Sequence, residues 1–234
     1  VTPGTHRSDR TRVRWGDGAG DDVSGAGAYT HMTLLSQTTE GMHNLFRLSS
    51  RASIEGYYFK PRMDRELLQT YSKGLIATTG CPSGEIQTRI RLGQLKEARE
   101  AAAEFQDLFG KENFFCELMD HGLPEQRALN PKLLRLSEET GAGLVVTNDL
   151  HYVHREQSEA HDALLCVGTG SMVEQTNRMR FETDDFYLKS AAQMAALFPD
   201  QPDAIRNTRR IAEMVDVQFD FKTLRLPDFP VPDG

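Results

Sequence analysis

Apolar positions along this chain fall into two alternating rhythms. Short runs bounded by turn residues, Leu75-Ile76-Ala77-Thr78-Thr79 before Gly80, Phe114 to Met119, and Leu144-Val145-Val146 inside GLVVTNDLHYVHRE, have the length and composition of buried strands. Between them apolar residues recur at helical spacing: Met42, Leu45, Phe46 and Leu48 within 40–52, and Leu95, Ala98, Ala102, Phe105 and Leu108 within 93–109. Further helices are predicted over 64–72, opened by Asp64, and from Pro82-Ser83-Gly84-Glu85 with Ser83 as N-cap. Another covers 124–140, bent or interrupted near Pro131 and closed by Gly141. The last three lie near 156–168, 190–197 and 202–215. A short strand is expected over Ala28–Leu35. Alternating strands and helices predict a parallel α/β architecture. Three well-marked strands are few for a sheet on their own, so a truncated sheet or barrel is expected. Residues 4–28, rich in Gly, Asp, Ser and Arg, form a polar loop. The stretch 216–234, ending Leu226-Pro227-Asp228-Phe229-Pro230, reads as an extended connector. That connector, and a first residue that is Val1, suggest a segment of a longer chain.

Composition narrows the class. With 234 residues, 38% hydrophobic and 26% charged, the chain is an ordinary globular one. A formal charge of −7 argues against a nucleic-acid module that works by bulk electrostatics. It leaves room for a local basic strip, and His6 to Trp15 is one; Arg10, Arg12 and Arg14 are candidates to contact a DNA backbone, with a solvated loop as the alternative. No apolar run is long enough for a transmembrane helix, so no membrane partner is expected. Three separated cysteines, Cys81, Cys116 and Cys166, do not make a disulfide framework and point to a reducing cytoplasm. Cys116 and Cys166 fit buried positions on a strand and a helix.

Candidate chemistry gathers where strands end. In a parallel sheet all carboxyl ends share one rim, where α/β proteins place their sites. If the chain stays extended past Val146, Asp149 and His151 share a face. The exits of the other strands bring His31, Cys81, and Asp120 with His121 to the same rim. His, Cys and Asp are competent zinc ligands, and His with Asp suits manganese or iron. Such a site activates water for attack on a phosphate ester, with Glu85, Asp120 or His121 orienting the ligands from behind. Each of these residues, taken singly, is equally compatible with an ordinary structural role.

Several stretches together carry a resemblance: Tyr29-Thr30-His31-Met32-Thr33-Leu34-Leu35, Gly41 to Ser50, Thr78-Thr79-Gly80-Cys81-Pro82-Ser83-Gly84-Glu85, Glu117 to Gly122, Thr147 to Tyr152, Phe186 to Ser190 and the closing Leu226 to Pro230. They resemble, in order and over nearly the whole chain, the PHP (polymerase and histidinol phosphatase) domain of C-family bacterial replicative DNA polymerases. The resemblance implies a distorted (β/α)7 barrel. This chain would supply its C-terminal portion over residues 1–215, lacking the N-terminal strands, with 216–234 leading toward the polymerase palm. It implies that His31, Cys81, Asp149 and His151 are the family's later metal ligands, in a site holding up to three zinc or manganese ions. In intact relatives that site acts as a 3′–5′ proofreading exonuclease, beside a polymerase that uses Mg2+. Primer-template DNA, the sliding clamp and other replisome subunits are the implied partners of the parent. The family's early His-x-His ligands have no counterpart in this sequence, and no Asp-x-Asp pair of a polymerase palm occurs. The segment alone is therefore expected to lack polymerase activity and to carry part of a metal site. Two alternatives stand beside this: a non-catalytic PHP scaffold that braces the polymerase and docks partners, and a free-standing phosphatase for small phosphoesters.

Overall fold

The computed structural model of the protein describes residues 29–57, 60–224 and 226. Residues 4–28, expected as a polar loop with Arg10, Arg12 and Arg14, and most of the closing proline-rich stretch lie outside the described residues. Four strands, β1 (Thr33–Ser36), β2 (Leu75–Thr78), β3 (Phe114–Leu118) and β4 (Gly143–Val146), form one sheet in the order β1-β2-β3-β4. β3 pairs in parallel with both neighbours, Phe115 opposite Thr78 and Glu117 opposite Val145. β1 runs antiparallel to β2, with Thr33 opposite Thr78. The expected parallel order thus holds for β2 to β4 and is broken at the edge. Eight helices accompany the sheet among the described residues: α1 (Thr39–Ile54), α2 (Arg65–Tyr71), α3 (Glu85–Arg91), α4 (Leu95–Phe109), α5 (Pro124–Thr140), α6 (Ser158–Thr169), α7 (Ala191–Leu197) and α8 (Pro202–Met214).

Side chains alternate across the sheet. One face presents Leu75, Ala77, Phe114, Cys116, Leu118 and Val146 to a core completed by Leu48, Leu68, Ile86, Phe105 and Leu133 from α1 to α5. The other face presents Ile76, Phe115 and Val145, which pack with Ile211 of α8. Burial on both faces explains why these strands read as continuous apolar runs. Each buried phenylalanine contributes about 1.5–3 kcal/mol.

Local chemistry differs from expectation at three points. Gly84, not Ser83, caps α3, and no side chain bonds there; the Ser83 carbonyl accepts from the His31 N–H instead. α5 runs unbroken through Pro131. That residue is exposed, so water can satisfy the carbonyl its ring deprives of a donor. The strand expected over Ala28–Leu35 forms only from Thr33, because the preceding chain leaves the β2 ladder to pair at His31 with Gly84. Other ends follow their sequence signals: Asp64 caps α2, and Gly141 closes α5 with φ +70°.

The start of α1 sits against the turn before β2. The Thr38 hydroxyl accepts from the Gly41 N–H at 3.1 Å, and the Gly74 carbonyl accepts from the Gln37 N–H at 2.8 Å. A Cβ on Gly41 would lie 1.7 Å from that same carbonyl oxygen. Overpacking costs about 1–3 kcal/mol where side chains can shift, and at this position the obstacle is backbone. Gly41→Ala is expected to lower stability by about 3 kcal/mol in urea denaturation, whereas an exposed alanine substitution on α1 such as Ser50→Ala leaves it nearly unchanged.

Candidate metal centre

The rim at the carboxyl ends of β2, β3 and β4 collects groups from several connections. His31 arrives there as the chain enters a strand, not as it leaves one, because antiparallel β1 begins where β2 ends. Its N–H bond to the Ser83 carbonyl, 3.1 Å, holds it beside the loop after β2. The His31 Nδ1 lies 3.3 Å from the Cys81 Sγ. A nitrogen and a sulfur bound to one tetrahedral zinc stand about 3.5 Å apart, given bonds of roughly 2.0 and 2.3 Å. The pair therefore has the donor types and the separation of half a zinc site. Burial raises the Cys81 thiol pKa, a Ser83 backbone hydrogen bond lowers it, and the charges of Asp149 and Glu117 raise it again.

The second half-site follows β4. The chain does not stay extended: Asp149 has φ +39°, the one positive value outside glycine among the described residues. Aspartate tolerates this region better than most residues. The carboxylate and imidazole approach each other through this turn, not through strand alternation. The His151 Nδ1–H donates to the Asp149 carbonyl at 2.7 Å, and the Asp149 Oδ1 stands 3.9 Å from the same nitrogen. Nε2 is left as the nitrogen with a lone pair for a metal. The His151 ring meets Phe181, His161 and Phe186 edge-on, with centroids 4.7, 5.3 and 5.6 Å away. Burial, and then the charge of His151, lower the pKa of His161. His161 and Phe181 also line a cleft of about 610 Å3, with Tyr152, Arg180 and Asp185.

His31 meets Cys81, and Asp149 meets His151. Among the described residues, however, no three His, Cys, Asp or Glu side chains gather closely enough to hold a metal. The described residues thus show two separate pairs of metal-competent side chains, His31 with Cys81 and Asp149 with His151.

The residues expected behind the ligands have defined tasks. Glu85 is buried, and its two oxygens pair with Arg65 and Arg89, each at 2.9 Å. Its carboxylate ties α2 to α3. The Asp120 Oδ1 accepts from the Gly122 N–H at 2.8 Å and shapes the turn after β3. His121 is fully buried. Its Nε2–H donates to the Asn148 carbonyl at 2.6 Å, and its Nδ1 accepts from the Gln126 amide at 2.9 Å. Its ring stacks on Phe186 with centroids 4.1 Å apart. His121 thus fixes the peptide that leads into Asp149. Asn148 is further held by Lys189, whose Nζ donates to its Oδ1 at 3.1 Å, and by the Tyr187 carbonyl, which accepts from its Nδ2. Sequence reasoning assigned no role to Asn148, Lys189, Gln126 or Glu117. The bonds joining His121 to Asn148 and Asn148 to Lys189 span 27 and 41 positions, distances no local pattern encodes.

A PHP domain model matches residues 6–121 of the chain. The chain belongs to the PHP domain family. Within it, the chain is similar to DNA polymerase III alpha subunits. That of Saccharopolyspora erythraea is 52% identical over 226 residues, 92% of this chain and 19% of the relative. That of Mycobacterium tuberculosis is 48% identical over 240 aligned residues, all of this chain and 20% of the relative. That of Deinococcus radiodurans is 39% identical over 241, again all of this chain and 17% of the relative. The chain spans about a fifth of the length of the curated relatives it matches.

Replacing His121 by leucine keeps the volume roughly but leaves the Asn148 carbonyl and the Gln126 amide without partners. Unsatisfied buried groups cost about 1–3 kcal/mol each. His121→Leu is expected to lose about 2–4 kcal/mol in urea denaturation, and a loss under about 0.5 kcal/mol contradicts a bracing role for this imidazole.

Proposed function

We propose that this chain is the C-terminal portion of the PHP domain of a DNA polymerase III alpha subunit, an incomplete barrel whose rim contributes His31, Cys81, Asp149 and His151 to a divalent-metal site. In the intact parent, the site removes the terminal nucleotide of a mispaired primer by 3′–5′ phosphodiester hydrolysis. The observation that carries this is the 3.3 Å approach of the His31 Nδ1 to the Cys81 Sγ, on the rim that also bears Asp149 and His151. Zinc or manganese, when bound, lowers the pKa of water and stabilises charge developing on the phosphoryl oxygens. The chain's own part is to present ligands at a set spacing. His31 and Cys81 do so from neighbouring loops. The His151 Nδ1–H bond to the Asp149 carbonyl selects the tautomer that offers Nε2. The ring cluster around His151 limits its rotation. The polymerase reaction, its Mg2+, primer-template DNA, the clamp and the other replisome subunits belong to the parent's remaining length.

A scaffold without catalysis is the second reading. It is favoured by one observation: among the described residues, no three ligands converge. Metal analysis of the full-length alpha subunit separates the two. Asp149→Asn is expected to weaken zinc or manganese binding by about 100-fold or more, given that losing even a supporting group costs about 10- to 100-fold. Shortening of a mispaired primer should fall with it while primer extension persists. An alpha subunit that holds no metal and leaves mispaired primers intact establishes the scaffold.

A further inference from the structure

On the face of the sheet that carries Ile76, Phe115 and Val145, the next residues toward the rim are polar. Thr78, Glu117 and Thr147 follow those three at intervals of two, so they share that face. Glu117 lies on β3, between the two strands whose exits bear the half-sites. It is 5% exposed. One carboxylate oxygen accepts from the Thr78 hydroxyl and the other from the Thr147 hydroxyl. Its backbone N–H donates to the Thr79 hydroxyl oxygen at 3.0 Å, which also accepts from the Gln87 amide at 2.8 Å.

Among the described residues no Lys, Arg or His forms an ion pair with Glu117. Burying a carboxylate without a cation is costly, and two charge-assisted hydroxyl bonds recover only part of the cost. A leucine would fill the same space but leave the Thr78 and Thr147 hydroxyls without this acceptor. The two carboxylate oxygens serve both strand ends: Thr78 stands three residues before Cys81, and Thr147 two residues before Asp149. One side chain holds both strand ends at once.

We propose that Glu117 is a positioning residue, a clasp that sets the spacing between the loop carrying Cys81 and the loop carrying Asp149 and His151. Its consequence for metal binding rests on the function proposed above; the clasp itself is a statement about two loops. Glu117 touches no reacting atom and works through the threonines.

The test uses the full-length alpha subunit, without added metal, and compares amide hydrogen exchange in Glu117→Leu, Thr147→Val and the unsubstituted protein. In Glu117→Leu, exchange should quicken at least about 10-fold at residues 79–81 and 147–151 while the amides of β2, β3 and β4 keep their protection. In Thr147→Val, the change should be confined to 147–151. Unchanged exchange in both loops, or uniform loss of protection across the sheet, overturns the clasp. Zinc alone, titrated against a chelator, gives the second readout. Affinity in Glu117→Leu should fall about 10- to 100-fold, the usual effect of losing a group behind the ligands. Loops that loosen in a protein that never takes up zinc support the clasp and overturn the metal function. Loops that loosen with zinc affinity unchanged overturn Glu117's bearing on the metal.

Discussion

Because the ladder bonds of β3 run parallel to both β2 and β4, the carboxyl ends of three strands share one edge of the sheet. The loops after them have no choice of side. Cys81, Asp120 with His121, and Asp149 with His151 are delivered to that edge by backbone hydrogen bonding before any side chain is considered. The antiparallel pairing of β1 with β2 adds His31. An antiparallel neighbour starts where its partner ends, so the residue that precedes β1 faces the loop that follows β2. A slip of one residue in any of these pairings would turn the polar row Thr78, Glu117, Thr147 into the apolar core. Register and site are therefore one constraint.

The rim combines two kinds of polar residue. Those behind it are buried and fully engaged: His121 between Gln126 and Asn148, Glu85 between two arginines, Glu117 between two threonines. Those on it are more open and make one or two polar contacts each, as His31 does with Cys81 and His151 with Asp149. Fully bonded buried networks are stiff, and ligands need stiff supports with unused lone pairs. The turn at Asp149 shows the same division. Its uncommon backbone angle persists because Asn148, one residue earlier, is held through its carbonyl and through both ends of its amide.

Membership in the PHP family accords with an α/β sheet of this kind, and the chain spans about a fifth of its relatives' length.

Much of the architecture was already present in the order of residues. The apolar runs at 75–79, 114–119 and 144–146, bounded by turn residues, read as buried strands, and helical spacing located nearly every helix, since both signals are local and need no knowledge of neighbours. Strand exits, likewise, could be read as a rim carrying Cys81, Asp149 and His151, whereas His31 reaches it from the start of antiparallel β1. What the sequence could not carry was anything set by pairing partners. The direction of β1, the unbroken course of α5 past Pro131, and the turn that brings the Asp149 carboxylate toward His151 each depend on what lies across the sheet or outside it. Glu117 is the clearest case. In sequence it is one acid among 34 acidic residues; only the threonines 39 positions before it and 30 after it give it a task, because a hydrogen bond depends on separation in space, and the fold alone sets that separation.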